Sequence, residues 1–565
     1  MFNGEALAFA LYFIVIVSVG IYFFFKERSN DTQENFFLGG RQMGPWVTAM
    51  SSTASDMSAW LLMGLPGSIL AFGFGQMWIG IGLALGTIAN WLLVAERLRK
   101  FSRAAGDAIT VPQYLSNRFL TESHTLQVIS AIIFFICFTV YVASAYVAGV
   151  SVFTTLFPGL SSQTAMLIFA VAMLIITFFG GFKAVCWNYF LQAMLMFASL
   201  LAVPIIIVLT QELDTAALVN VYSYTDAVSG QTVECTFGTG IFDASWKEIV
   251  SGLAWGLGYF GMPHILVRFM SIEKPSMVKK SSVVAIVWII ITLGCACLLA
   301  YFDRMMLAEE LLTVGAQKMV FIELARRLFP AFLAGILLAA IMAASMSTAD
   351  SQLLVASSSF TSDIYKPILR KDASEKEVMW GGRGVVVLVA IIAYFIASSK
   401  AEGAQAIMNL VENAWAGFGS SFGPVILLSL FWKRLTYKGA IAGVLGGAIV
   451  DVIWLAGGFS ASTGIYELFP RYILQDSNIY PCGFSPHQPF AHSCSSTAPK
   501  AHTQAIQLPI SFRRPMANGT VEWCVAKGHL SIACVANHIA FATQYGQNQS
   551  KKALYVEQNS MTNDK

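Results

Sequence analysis

From residue 5 to residue 457 the sequence is a succession of apolar runs, each near or above the roughly 20 residues a helix needs to cross a bilayer. Hydropathy places spans at 5–25, 43–73, 76–95, 125–153, 163–183, 186–209, 246–271, 276–302, 331–358, 381–399, 402–431 and 438–457. In hydrocarbon every backbone polar group must be satisfied within the protein, so runs of this length are helices packed into a bundle. The expected class is therefore an all-α polytopic membrane protein. Charged residues are 12% and apolar residues 56% of the chain, whereas soluble domains carry about twice that charged share. A membrane β-barrel needs short alternating strands, which are missing from this pattern. A net charge of +3 leaves no nucleic-acid footprint. Leu7–Phe25 is too long for a signal-peptide core and has no basic region before it, so it reads as the first span.

Lysine and arginine placement orients the bundle. Lys26, Arg28 and Arg41 follow span one, and Arg97, Arg99, Lys100 and Arg103 follow span three. Lys183 follows span five, and Arg268, Lys274, Lys279 and Lys280 flank the turn between spans seven and eight. Lys366, Arg370, Lys371 and Lys376 follow span nine, and Lys433, Arg434 and Lys438 follow span eleven. All of these face the cytoplasm if the N-terminus is outside. The 210–245 connection, on the other side, has acids and no base. Arg304, Lys318, Arg326 and Arg327 depart from the pattern, in an outer loop expected to carry its own short helix.

Beyond about residue 472 the text turns polar. Cys482, Cys494, Cys524 and Cys534 lie there, with His487, His492, His502, His529 and His538. Leu530–Ala542 is too short to span, so an irregular tail outside the membrane is expected, its cysteines free to pair. The Cys524, His529, Cys534, His538 spacing does not match usual zinc sites. The expected organisation is a first span and loop at 1–42, a ten-span core at 43–431, a peripheral span at 432–471 and the tail at 472–565.

Three spans carry polar material that lipid-facing helices lack. Ser51–Gly67 reads SSTASDMSAWLLMGLPG, with the carboxylate of Asp56 among hydroxyls at membrane depth. An ionisable residue there faces a cavity or a partner. A broken helix whose freed carbonyls hold a cation accounts for it. In span seven, Trp255–Pro263 reads WGLGYFGMP, a weak helix ended by a proline. Trp255 and Tyr259, four apart, share one helical face. An aromatic packing stripe and a cavity lining both fit. In span nine, Ala344, Ser347 and Thr348 form one patch, which suits either close helix packing or oxygen ligands for a hard cation. Spans two and seven hold matching places in two runs of five, 2–6 and 7–11. Paired broken helices at matching places point to an inverted-repeat transporter with a midplane site.

These residues resemble the sodium/solute symporter family over roughly residues 5–470. The blocks that carry the resemblance are FLGGR at 37–41, SDMSAWLLMGLPG at 55–67, Trp255–Ile265 and SMSTADSQLL at 345–354. The resemblance implies a leucine-transporter-type core of two inverted repeats of five helices, with extra helices flanking it. It implies Na+ as the co-transported ion and the only metal, held by the carbonyls of Ala54, Met57 and Ala344 and the hydroxyls of Ser347 and Thr348. Asp56 and Ser58 lie beside that ion and, with Arg41 at the cytoplasmic mouth, couple it to substrate. Trp255, Tyr259 and Pro263 resemble a substrate pocket, with Tyr141 of span four nearby. The implied function is sodium-driven import of L-proline across the cytoplasmic membrane. The alternative is another small solute, such as pantothenate or a different amino acid. Two features depart from the family pattern. Asn188-Tyr189 stands where an acid is expected, and a thirteenth span after Tyr466–Pro470 is replaced by the polar tail, as a change of reading frame would do. A channel would use the same polar helices as a continuous pore. A membrane enzyme lacks support, for there are no paired carboxylates, no nucleophile–base set and no HExxH, and His264 is the only histidine well within a span.

Overall fold

The computed structural model of the chain describes residues 4–27, 32–225, 232–399 and 404–470. The expected tail at 472–565 lies outside these residues. Helix α1 spans Gly4–Glu27, α2 Gln33–Leu38, α3 Pro45–Asp56, α4 Gly64–Phe72, α5 Met77–Ala89, α6 Glu96–Ala104 and α7 Val111–Asn117. The long helices α8 (Thr125–Leu156) and α9 (Ser162–Thr210) follow. Next come a small hairpin of β1 (Tyr222–Thr225) and β2 (Thr232–Cys235), then α10 (Trp246–Ala254) and α11 (Pro263–Ser271). The chain continues with α12 (Val278–Met306), α13 (Ala308–Leu312), α14 (Val320–Leu328) and α15 (Ala331–Phe360). It closes with α16 (Glu375–Ser398), α17 (Ala404–Phe431), α18 (Tyr437–Ala456) and α19 (Phe459–Thr463).

Among the described residues, 10 helical segments are long and apolar enough to cross a membrane. The two expected spans that fail as continuous helices are two and seven. Span two is α3, a short 3-10 turn at Ala59–Leu61, and α4. Span seven is α10, a 3-10 stretch at Trp255–Phe260, and α11, bent by 44°. Each restart has a local cause. Ser58 takes a positive φ of 32°, which a side chain adopts only under constraint. Pro263 sits at the first position of α11, where its missing amide and fixed φ are favourable. The spans expected at 163–183 and 186–209 are the two arms of α9, which meet at Gly181.

Helix α15 is the axis of the bundle. It packs on α1, α8, α9 and α16 and buries almost its whole length. Its alanine and serine run suits this place, because small side chains let backbones approach where lipid gives no hydrophobic drive. Around it, the glycines of spans three and seven have a second role. They weaken the helix at 255–263, and they also let it touch its neighbours. A Cβ on Gly86 would lie 2.2 Å from the Gly256 carbonyl, and one on Gly258 would lie 2.0 Å from the Trp415 indole nitrogen.

Two arginine placements differ from the loop-counting expectation. Arg268 is no loop residue. It lies buried within α11, donates to Ser51 Oγ at 3.0 Å, and sits over the rings of Phe182 and Tyr189. Arg304 ends α12, where it is buried and donates to the carbonyls of Leu70, Asn220 and Cys235 between the rings of Tyr222 and Phe237. Short-range periodicity places a charge along the chain but not the carbonyls that will absorb it. The expected short helix in that outer loop is present twice, as α13 and α14, and Arg326 pairs with Glu5 of α1 at 2.9 Å.

The glycine contact generates a stability test. Gly86→Ala should lower the apparent melting temperature of the detergent-solubilised protein, by an amount corresponding to about 1–3 kcal/mol of overpacking. Gly384→Ala, whose Cβ would meet nothing within 4 Å, should not lower it.

Candidate functional site

The break in span two has an unusual hydrogen-bond pattern. In an unbroken helix the Ser58 amide would close onto the Ala54 carbonyl. Here the Ser58 amide donates to Thr348 Oγ1 at 3.1 Å, and the Ala54 carbonyl accepts from Ser347 Oγ at 2.7 Å. Both α15 hydroxyls are also within 3.1 Å of the Ala344 carbonyl. Two adjacent side chains of one helix thus replace the bond another helix lost. The sequence-derived set of Ala54, Ala344, Ser347 and Thr348 converges as one cluster of buried oxygens, with Met57 next in the chain at the break. Each is a neutral, hard oxygen, the donor type that suits a sodium-like cation.

Beside this cluster lies a cavity walled by aromatic rings. Asp56, Met57, Ser58, Tyr141, Trp255 and Tyr259 line it, so the sequence brought six of its candidates to one place. The Tyr259 hydroxyl donates to Asp56 Oδ2, tying span seven to the break in span two. Trp60, Leu83, Val411 and Trp415 complete the wall. Trp255 stacks on Trp60 with ring centroids 5.7 Å apart. Tyr466, from the segment after α19, stacks on Trp255 at 4.9 Å. That segment is fastened by the Tyr466 amide on Ser251 Oγ at 2.8 Å and by Lys247 Nζ on the Thr463 carbonyl at 2.7 Å.

Residues that reasoning from sequence missed share a physical task. The 3-10 stretch Trp255–Phe260 frees carbonyls that a helix would have used. Trp415 Nε1 donates to the Trp255 carbonyl at 2.9 Å, and Asn90 Nδ2 donates to the Tyr259 carbonyl at 3.0 Å. Asn90 carried a usable signal, as an amide deep in the apolar run of span three, well past Gln76 at its start. Trp415 carried none, because an indole in an apolar, glycine-rich helix reads as ordinary packing.

Two candidates stand away from the cavity wall. Pro263 starts α11 and is buried, and it is not among the residues that line the cavity. Arg41, at φ 52°, donates to the carbonyls of Met270 at 3.0 Å and Ala108 at 2.7 Å and pairs with Glu34 at 3.2 Å. It thereby holds the C-terminal end of α11, where a cation also meets the negative end of the helix dipole. Burial lowers the pKa of its guanidinium, and Glu34 opposes that shift. At Asn188-Tyr189, where an acid was expected, no carboxylate stands on α9. A buried one, Asp350 of α15, accepts from Thr177 of α9 at 2.6 Å.

Comparison with known proteins places this architecture. The sodium:solute symporter family model matches residues 36–447. The sodium/proline symporter of Escherichia coli K12 is 40% identical over 475 residues, covering 82% of this chain and 90% of its own length. A high-affinity proline transporter of Bacillus subtilis 168 is 42% identical over 451 residues, covering 80% of this chain and 92% of its own. A solved Na+-coupled sialic acid symporter, in a substrate-bound outward-open state, superposes with a TM-score of 0.63 at 19% identity. It covers 85% of this chain and 96% of its own. That likeness gives the fold, a ten-helix core of the leucine-transporter type. The chain belongs to the sodium:solute symporter family.

Proposed function

We propose that this protein is a symporter that carries L-proline inward across the cytoplasmic membrane, driven by the sodium gradient. The observation that carries the reading is the pair of α15 hydroxyls bridging the break in α3, one residue from the aromatic cavity. The transporters of Escherichia coli and Bacillus subtilis named above, which match most of their length, support proline as the solute.

In this reading the sodium ion is cargo. The carbonyls of Ala54, Met57 and Ala344 and the hydroxyls of Ser347 and Thr348 hold it. It joins a broken helix to the bundle axis. The Ala54 and Met57 carbonyls lie within two residues of Asp56 and Ser58, so fixing them fixes the floor of the cavity. The rings of Trp255, Tyr259, Tyr141, Trp60 and Trp415 then hold the apolar pyrrolidine, and Ser58 and Asp56 supply polar contact. A pocket that is largely apolar with a few placed polar groups suits a small amino acid. Arg41, through Met270, holds α11 at the cytoplasmic end. No bond is made or broken in this scheme, so the protein acts without catalysis. Access alternates by movement of one repeat against the other around a fixed site.

In proteoliposomes, an inward sodium gradient should accumulate radiolabelled proline, and replacing sodium with choline should abolish accumulation. Equal uptake in choline would contradict the reading. Excess pantothenate should leave uptake intact. The residue roles separate in kinetics. Thr348→Ala removes one oxygen and should raise the sodium concentration for half-maximal uptake about tenfold, on the order of 1.4 kcal/mol. At saturating sodium it should change the proline requirement little. Tyr259→Ala should do the reverse. Loss of both dependences together in Thr348→Ala would mean that the residue only packs.

A further inference from the structure

Beyond α18 the chain turns back into the bundle. Among the described residues the last apolar span ends at Ala456, yet Tyr466, Glu467 and Leu468 are 5%, 4% and 0% exposed. Gly458 and Gly464 bracket α19 with φ of 60° and 68°, the left-handed region that lets glycine turn without strain. Trp454 Nε1 donates to Ser460 Oγ at 3.0 Å, and Ser460 Oγ donates to Glu467 Oε2 at 2.9 Å, which folds the segment against the end of α18. From there it lies between α10 and α17. Lys247, Ser251 and Trp255 recur every four residues, so they share one face of α10 and its 3-10 continuation. They meet the Thr463 carbonyl, the Tyr466 amide and the Tyr466 ring in turn. On the α17 side, the Tyr466 hydroxyl donates to the Glu412 carbonyl at 3.3 Å, and a Cβ on Gly419 would lie 2.8 Å from Leu468 Cδ1.

We propose that Tyr466 is a positioning residue of the proline cavity, holding the Trp255 ring in the cavity wall and closing the cavity's outer side between α10 and α17. Tyr466 is not among the residues that line the cavity, so it acts through Trp255. Trp255 needs that support, because it opens a 3-10 stretch, whose hydrogen-bond geometry is poorer than that of an α-helix. Its ring stacks on Trp60 at 5.7 Å and on Tyr466 at 4.9 Å, with interplanar angles of 24° and 14°. One partner belongs to the break in span two and the other to the outer segment, so two elements outside its own helix fix the ring. Such aromatic pairs contribute beyond the area they bury. The side follows from charge: α18 begins beside the bases Lys433 and Arg434 on the cytoplasmic face and therefore ends outside. The segment thus reaches the cavity from the outer face. The inference rests on the proline-symporter reading for its substrate.

Uptake kinetics and cavity labelling test it together. In proteoliposomes at saturating sodium, Tyr466→Leu keeps apolar bulk and loses the stack. It should raise the proline concentration for half-maximal uptake about tenfold, the loss of one aromatic pair, and change the maximal rate much less. Tyr466→Phe keeps the ring and should recover most of the wild-type requirement. In right-side-out vesicles, an impermeant thiol reagent should label Val411→Cys, a position in the cavity wall, severalfold faster when Tyr466→Leu is added, with the labelled site located by peptide mass spectrometry. An unchanged proline requirement or an unchanged labelling rate would overturn the inference. A lower maximal rate at an unchanged proline requirement would also overturn it, since that marks a residue that only stabilises the fold. If Tyr466→Leu fails to reach the membrane, Ser251→Ala, which releases the Tyr466 amide from α10, must move both readings the same way or the inference falls. Labelling needs no transport. Absence of sodium-driven proline uptake in the wild type would count against the symporter reading, while labelling would still decide the role of Tyr466.

Discussion

A helix broken at membrane depth leaves an amide and a carbonyl that lipid cannot satisfy, at a cost of several kcal/mol each. Here the two groups are the Ser58 amide and the Ala54 carbonyl, and both are satisfied by one turn of another helix, through Thr348 and Ser347. Much else in the bundle follows from that contact. Ser347 and Thr348 must face α3, so α15 must stand within hydrogen-bond reach of the break, at the centre of the bundle. A helix so placed is surrounded, which is why it carries alanine and serine where a peripheral span carries leucine and phenylalanine. Its satisfied state also depends on two hydroxyl protons. A cation bound among the same oxygens would change where those protons point, and that gives the contact a way to report occupancy to both helices.

The second break is handled differently. Carbonyls freed in span seven accept from Asn90 of α5 and Trp415 of α17, which flank it. The two breaks meet through the hydrogen bond of Tyr259 to Asp56 and the stacking of Trp60 on Trp255. A tyrosine hydroxyl on a buried carboxylate and a pair of stacked indoles therefore join the two halves of the site. The glycines at 86, 256 and 258 permit the approach that brings α5 and α17 near enough to donate. Span seven thus needs its glycines for contact as much as for weakness.

The sequence carried the architecture well where the signal is local. Apolar run lengths located ten spans as single helices, and polar text inside spans two and seven marked the two that break. The Ala344, Ser347, Thr348 patch was legible because three and four residues make one helical face. What sequence could not reveal is what faces what. Trp415 and Leu83 look like ordinary apolar residues until folding brings them to the cavity. Arg268 and Arg304 looked like loop charges, since nothing nearby in sequence names the Ser51 hydroxyl or the Leu70 carbonyl that receives them. Pro263 was expected at the pocket from the family resemblance, and the structure places it at the first position of α11, outside the cavity lining.

Coupling is the central claim, and it is a statement about free energy between two sites, which must be reciprocal. The most direct measurement is equilibrium binding in both directions on the purified protein: proline affinity as sodium is raised, and sodium affinity as proline is raised. If the α3 break joins the ion position to the cavity floor, each ligand tightens the other by the same factor, on the order of 10-fold or more. A proline affinity that stays constant from sodium-free to sodium-saturated solution would contradict the account.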